Sequence, residues 1–290
     1  MLEFPIMSAQ LFVVATPIGH LDDITYRAIE VLKSVSLIAA EDTRQSAPFL
    51  RHFNISTPLT ACHDHNEDSK IKSIIEKLQL GENVALISDA GTPLISDPGF
   101  RLVRAAQQAG IRVTPVPGAC AAIAALSSVG LPSDRFMFVG FLPSKASQRQ
   151  LNLQALKNHT ETLIIYEAPH RIVDCLADIV DIFGKDRPIG FAREITKTFE
   201  TIVQKPASEL LEFVKADHHQ QKGEIVLVIG GNTAPEDQAQ SKTDELLKRL
   251  LQDLSVKSAA QLAADLTGQK KKPLYQRALE LSEQSDQSAK

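Results

Sequence analysis

The sequence predicts an α/β protein with a mostly parallel N-terminal sheet, a mixed second sheet and a small helical C-terminal module. Three observations carry that expectation. Short apolar runs alternate with helical patterns through the first half. In the second half two such runs are separated by only a short turn, which allows antiparallel pairing. Beyond residue 241 the periodicity is helical throughout.

Taken in order, residues 11–15, 37–40, 59–62, 84–87, 112–116 and 136–139 read as strands, with helices at 24–33, 69–80 and 100–109. Strands are next expected at 162–166, 188–192, 200–203 and 224–229, and helices at 171–183 and 207–215. Residues 231–241 read as a polar linker. Helices follow at 243–253, 256–266 and 274–282, the middle one with Ala259, Ala260, Ala263 and Ala264 for close contacts. Domains are expected at 1–143, 144–232 and 242–290, with a boundary at Pro143-Ser-Lys-Ala-Ser147.

The 290 residues are 43% hydrophobic, enough for proper cores. No apolar run reaches the ~18 residues of a membrane span. The first residues lack the basic start and apolar stretch of a signal peptide. Cys62, Cys120 and Cys175 are dispersed, which argues for reduced thiols in a cytoplasm and against a zinc cage or disulfide framework. Between Lys242 and Arg277 eight Lys/Arg face four Asp/Glu, a balance of +4 in a chain whose net charge is −4. That basic segment suits a polyanionic partner, or equally a solvated helical face.

The chemically rich loops all follow strands: 16–22, 41–44, 63–66, 88–99 and 117–121. In parallel sheets ligands sit beyond the strand C-termini, so these loops point to one shared site. The 88–99 loop holds Ser88, Asp89, Gly91, Thr92, Ser96 and Asp97 but no lysine, and fits neither a P-loop nor a dinucleotide fingerprint. Asp97 is placed to cap the next helix, with Pro98 at its first position. Amides, hydroxyls and carboxylates together suit a ligand with both positive and negative groups. In Pro117-Gly-Ala-Cys-Ala121 small side chains leave helix N-terminal amides open to a ligand, or simply keep the helix slim for packing.

His63-Asp64-His65 has no further ligand spacing around it, so hydrogen bonding to a substrate, or to Asp64, is expected there over a metal pair. Arg44, Arg171, Arg193 and Lys197 sit in charged strand-end segments, where phosphate contact competes with surface ion pairing. Lys270-Lys-Lys272 precedes a helix and offers a nucleic-acid backbone contact or solvated lysines.

Together Ala15-Thr-Pro-Ile-Gly-His-Leu21, Ala39-Ala-Glu-Asp-Thr-Arg44, His63-Asp-His-Asn-Glu67, the 88–99 loop, Pro117-Gly-Ala-Cys-Ala121 and Leu131-Pro-Ser-Asp-Arg-Phe136 resemble the tetrapyrrole-methylase superfamily. The closer resemblance is to its small-subunit ribosomal RNA methyltransferase branch, to which residues 166–171, 192–200 and 222–225 are also similar. It runs from about residue 11 to 230 and resumes at 270–279.

The resemblance implies a two-domain methylase fold with S-adenosylmethionine in the interdomain cleft. It also implies 2′-O-methylation of a cytidine in the decoding region of 16S rRNA, and a homodimer with no membrane or metal partner. On it, Pro17 and Ile18 close one side of the pocket, while Ser88, Asp89, Gly91, Thr92, Ile95 and Ser96 surround the methionine part. Cys120 and Ala121 present amides, and Tyr166, Glu167 and Ala192 flank the adenosine. Proton acceptors are sought among His63, Asp64, His65 and Glu167. Contacts to rRNA are sought among Arg44, Arg171, Arg193, Lys197, Lys270 and Lys271. Two positions depart from the family pattern: His20 stands where asparagine is usual, and Ala119 where proline is common. A small-molecule methyltransferase and a non-catalytic RNA-binding assembly factor stand as alternatives.

Overall fold

A computed structural model describes residues 9–62, 67–232 and 235–288. The chain divides into two compact units, Met1–Gly231 and Asn232–Lys290.

The first unit holds two five-stranded sheets. Strands β1 (Gln10–Val14), β2 (Leu37–Ala40), β3 (Leu59–Ala61), β4 (Val84–Ile87) and β5 (Arg112–Val116) form an all-parallel sheet in the order β3-β2-β4-β1-β5. Side-chain alternation along each strand feeds two separate cores. Val14, Ile38, Ala40, Ala85 and Ile87 face helices α1 (Tyr26–Ser34) and α2 (Thr43–His52), which contribute Ala28, Leu32 and Leu50. Leu11, Ala39, Val84 and Leu86 face α3 (Glu67–Gln79) and α4 (Phe100–Gln108) through Ile74, Leu78, Leu102 and Ala106. Helices cover both faces, and because the strands are parallel the described loops after them gather at one edge.

The second sheet contains β6 (Phe136–Phe141), β7 (Thr162–Glu167), β8 (Pro188–Arg193), β9 (Thr201–Pro206) and β10 (Ile225–Ile229), in the order β6-β7-β10-β8-β9. Only β6 and β7 run parallel; the other pairs are antiparallel. The short turn between β8 and β9 closes the hairpin expected from the sequence. One face packs on α6 (Ala146–Leu156), α7 (Ile172–Phe183) and α8 (Ala207–Ala216). The other packs on α5 (Ala121–Ser128), whose Ala122 and Ala125 meet Ile164, Ala192, Val226 and Val228. Small residues are needed there: a Cβ added to Gly190 would lie 2.5 Å from Val129 Cβ. Truncating a fully buried residue such as Ile165 would cost about 2–5 kcal/mol.

The second unit consists of α9 (Pro235–Leu250), α10 (Val256–Thr267) and α11 (Lys271–Ser288). Ala260 and Ala263 lie against Leu247, Leu274, Ala278 and Leu281, so the alanine-rich middle helix makes the close contacts its composition allows. Arg277 grips Asp244 with two hydrogen bonds of 2.9 and 2.6 Å, tying α11 to α9.

Two expectations are corrected. Asp97 does not cap α4: that helix starts at Phe100 with Gly99 as N-cap at φ 118°. That φ strains any L side chain, and a Cβ there would also crowd Leu86 Cδ2 at 2.8 Å, so the turn favours glycine. The supposed linker 231–241 becomes helical at Pro235, a favourable first helical residue. The expected boundary segment 143–147 leads into α6, which begins at Ala146.

Candidate active site

The loop after β4 is pinned to the end of β1. Thr16 and Gly91 exchange backbone hydrogen bonds (2.8 and 3.1 Å), and the Thr16 hydroxyl lies 3.4 Å from the Ser88 and Gly91 carbonyls. Gly91 (φ 86°) approaches so near that a Cβ would meet Ile18 Cγ2 at 3.2 Å. Leu94 and Ser96 adopt left-handed backbone at φ 74° and 65°. Such strain in non-glycine residues is held by surrounding structure and concentrates at functional sites. The Thr92 hydroxyl donates to the Ala119 carbonyl (2.9 Å), binding this loop to the one after β5. Ala119 thus serves through its backbone.

These loops, the N-terminus of α5 and the ends of β6, β7 and β10 enclose a cavity of about 470 Å³. That size falls within the ~300–1,000 Å³ range of small-molecule sites. Its lining includes Glu41, Asp89, Asp97, Glu167 and Glu224 but no Lys, Arg or His among the described residues. Glu167 and Glu224 are balanced from behind by Arg171 and Lys197. Among the described residues no such ion pair offsets Asp89 or Asp97. Burial pushes the pKa of both carboxyls up; a hydrogen bond from the Asp42 amide moderates Asp89, and one from Ser88 moderates Asp97. The site is therefore built for a positive charge, next to the partly positive end of α5.

Of the cofactor residues expected from the sequence, Ile18, Asp89, Gly91, Thr92, Ile95, Ser96, Cys120, Ala121 and Tyr166 line the cavity. Pro17, Ser88 and Ala192 are buried outside the lining. The Tyr166 hydroxyl accepts from the Ala122 amide (3.1 Å), and burial raises its pKa. His20 Nδ1 accepts from the Asp22 amide (3.3 Å), capping a short 3-10 turn as an asparagine would.

Glu167 lies at the cavity wall, but its side chain is 0% exposed and accepts from the Ala168 amide and from Arg171. The Cys175 thiol lies against the same carboxylate; burial first, then that charge, pushes its pKa up. His63, Asp64 and His65 lie outside the described residues. Among those described, no group of three or more His, Cys, Asp or Glu could hold a metal.

The expected RNA contacts fall into two sets. Arg44 is exposed at the start of α2 and pairs with Asp42 (2.8 Å), holding that carboxyl down at about 2. Lys270 and Lys271 are exposed at the start of α11. Arg171 instead points inward to Glu167. Arg193 is 5% exposed and donates to Gln220, the Lys222 and Phe199 carbonyls and Thr201. Lys197 bonds Glu194 (2.9 Å) and Glu224 (3.2 Å).

Sequence reasoning missed Gln45, Asp97, Phe141 and Gly223–Glu224 as cavity residues. A Gly-Glu pair just before an unbroken apolar strand was the available signal for the last two.

Residues 10–211 match the family Tetrapyrrole (Corrin/Porphyrin) Methylases, and the chain belongs to it. Residues 236–282 match the RsmI C-terminal HTH domain. The chain is 57% identical to Ribosomal RNA small subunit methyltransferase I of Pseudomonas aeruginosa, covering 93% of this chain and 96% of that protein. It is 53% identical to the same-named protein of Escherichia coli O157:H7, covering 93% and 95%. Among solved structures, a uroporphyrin-III-C-methyltransferase from Thermus thermophilus aligns with a TM-score of 0.55 at 19% identity, covering 77% of this chain and 94% of that one. A cobalt precorrin-4 methyltransferase aligns with a TM-score of 0.59 at 14% identity, covering 79% and 98%. These two share the fold.

Proposed function

We propose that this protein transfers a methyl group from S-adenosylmethionine to the 2′-hydroxyl of a cytidine in the decoding region of 16S rRNA. The observation that carries the reading is the cavity whose lining, among the described residues, includes two carboxylates without an ion pair and no cation. S-adenosylmethionine brings a sulfonium, an ammonium and a carboxylate, so acidic side chains and helix N-terminal amides fit it better than lysine would. Asp89, Asp97, Thr92 and the amides of Cys120 and Ala121 would hold its amino-acid and sulfonium end. Tyr166 would flank the adenosine, and the buried Ala192 supports that wall from behind. Pro17 and Ser88 support the wall from behind.

Bound there, the cofactor supplies an electrophilic methyl group on a good leaving group. The chain's part is orientation and exclusion of water, which the enclosed loops favour. The acceptor hydroxyl must also lose a proton. His63, Asp64 and His65, after β3, are our candidates to take it. Glu167, sealed against Arg171, acts in this reading by shaping the β7 end. Arg44, Lys270 and Lys271 meet phosphates, while Arg171, Arg193 and Lys197 order the segments around the site. The C-terminal unit matches a helix-turn-helix family and carries the basic stretch 242–277, which favours a ribosomal RNA substrate over a free tetrapyrrole. We further propose three domains at 1–143, 144–232 and 242–290, a homodimer, and a cytoplasmic setting.

The test is transfer of labelled methyl from S-adenosylmethionine to small ribosomal subunits from cells lacking the enzyme, followed by mapping of the modified nucleotide. Label at a single decoding-region ribose is expected. No incorporation into rRNA would overturn the proposal.

A further inference from the structure

Strand β6 carries a fault in its register. Phe136, Met137 and Phe138 pair with Thr162, Leu163 and Ile164, but the next partner of Ile165 is Gly140, so Val139 is left over. Gly140 takes φ 73°, a left-handed conformation, and a Cβ there would sit 3.2 Å from the Ser96 hydroxyl. This is a β-bulge, which re-aims the side chains after it.

The consequence falls on Phe141. Without the extra residue it would pair with Glu167 and follow Met137 and Val139 onto the face packed against α6–α8. With the bulge it pairs with Tyr166, on the face that opens to the cavity. Phe141 lines the cavity yet is 56% exposed, a large apolar ring at its mouth. One side is steadied edge-on by Tyr166, with ring centroids 5.6 Å apart and planes at 69°. Tyr166 is fixed in turn by Phe138 (5.0 Å) and the Ala122 amide. An immobilised aromatic with open area at the rim of a methyl-donor pocket is a surface for another flat ring.

We propose that Phe141 is a stacking platform for a nucleobase, and specifically for the base of the acceptor nucleotide in the rRNA. This rests on the rRNA methyltransferase reading above. A base that must leave its stack to bring its ribose to the cofactor regains stacking on an aromatic ring. The exposure of Phe141 at the mouth places it toward incoming substrate; the cofactor's own adenine is the rival source of the ring.

The experiment compares full-length wild type, Phe141→Ala, Phe141→Leu and Phe141→Trp in methyl transfer to small subunits and in calorimetric binding of S-adenosylmethionine. Phe141→Ala is expected to lower kcat/KM for subunits roughly ten- to a hundredfold, mainly through KM, with cofactor affinity unchanged. Phe141→Trp should restore transfer and Phe141→Leu should not. Full activity in Phe141→Leu would overturn the proposal, since apolar bulk would then suffice. So would a matching loss of cofactor affinity, which would assign the ring to adenine. A wild-type enzyme inactive on subunits would instead defeat the rRNA reading itself.

Discussion

Two loops of the first unit bend the backbone in the same way and treat charge oppositely. The loop after β4 holds Leu94 and Ser96 in left-handed conformation; the loop after β8 does the same with Glu194 and Thr196. In the second loop the charges are compensated. Arg193 spends its donors on four neighbours, Lys197 bridges Glu194 and Glu224, and the Glu200 carboxylate accepts from the Thr196 amide (2.7 Å). In the first loop Asp89 and Asp97 are part-buried and, among the described residues, without an ion pair. Strain with charges satisfied marks a structural clasp; strain with charge left over marks a ligand site.

The contrast breaks most visibly at Arg193. Removing its guanidinium strands several part-buried acceptors, so Arg193→Ala should lose about 3 kcal/mol of stability in denaturant unfolding. If stability held while RNA affinity and its salt dependence fell, the residue would be a phosphate contact and the clasp a misreading.

The pH dependence separates the loops next. Asp89 and Asp97 have pKa values raised by burial, so their ionisation opposes folding. That cost is absent below their ordinary value of 3.8, grows as pH rises through the raised values, and is full at neutral pH. Ligand-free Asp89→Asn/Asp97→Asn should therefore melt above wild type at pH 7, and the gap should close below 3.8. Asp42 has the opposite sign. Its stabilising contribution exists above 3.8 and is lost as pH falls through about 2. A melting gap independent of pH would remove the electrostatic account.

Much of the fold was legible because the apolar runs alternate with amphipathic helices. Leu11 and Val14 already belong to two faces by position. The strand-end loops were legible as a site for the same reason. What stayed hidden depends on tertiary geometry. Asp97 carries the composition of a helix cap, but the close pass of Gly99 over Leu86 delays α4 and leaves that carboxylate in the cavity. Arg193 and Arg171 look like surface cations until the partners that bury them, Gln220 and Glu167, are placed beside them. The bulge at Gly140 leaves no periodic trace in a strand of six residues.

Smaller effects sharpen the comparison. Lys270→Ala and Lys271→Ala should each reduce the salt slope of subunit binding by about 1, with unfolding unchanged. A slope that did not move would exclude both from phosphate contact. Lys197→Ala should cost under about 1 kcal/mol in thermal unfolding, because its ion pairs are partly solvated. A larger loss would mean that this amine, and not Arg193, holds the clasp.

The central claim is that Asp89 and Asp97 make the cavity a site for the sulfonium cation. Calorimetric titration of S-adenosylmethionine and of its thioether product, which keeps the ammonium and carboxylate but lacks the sulfonium charge, into wild type and Asp89→Asn/Asp97→Asn tests it directly. The account predicts a loss of at least about tenfold for the sulfonium in the double variant, and a clearly smaller loss for the thioether. Equal losses for both ligands, or none for either, would contradict it.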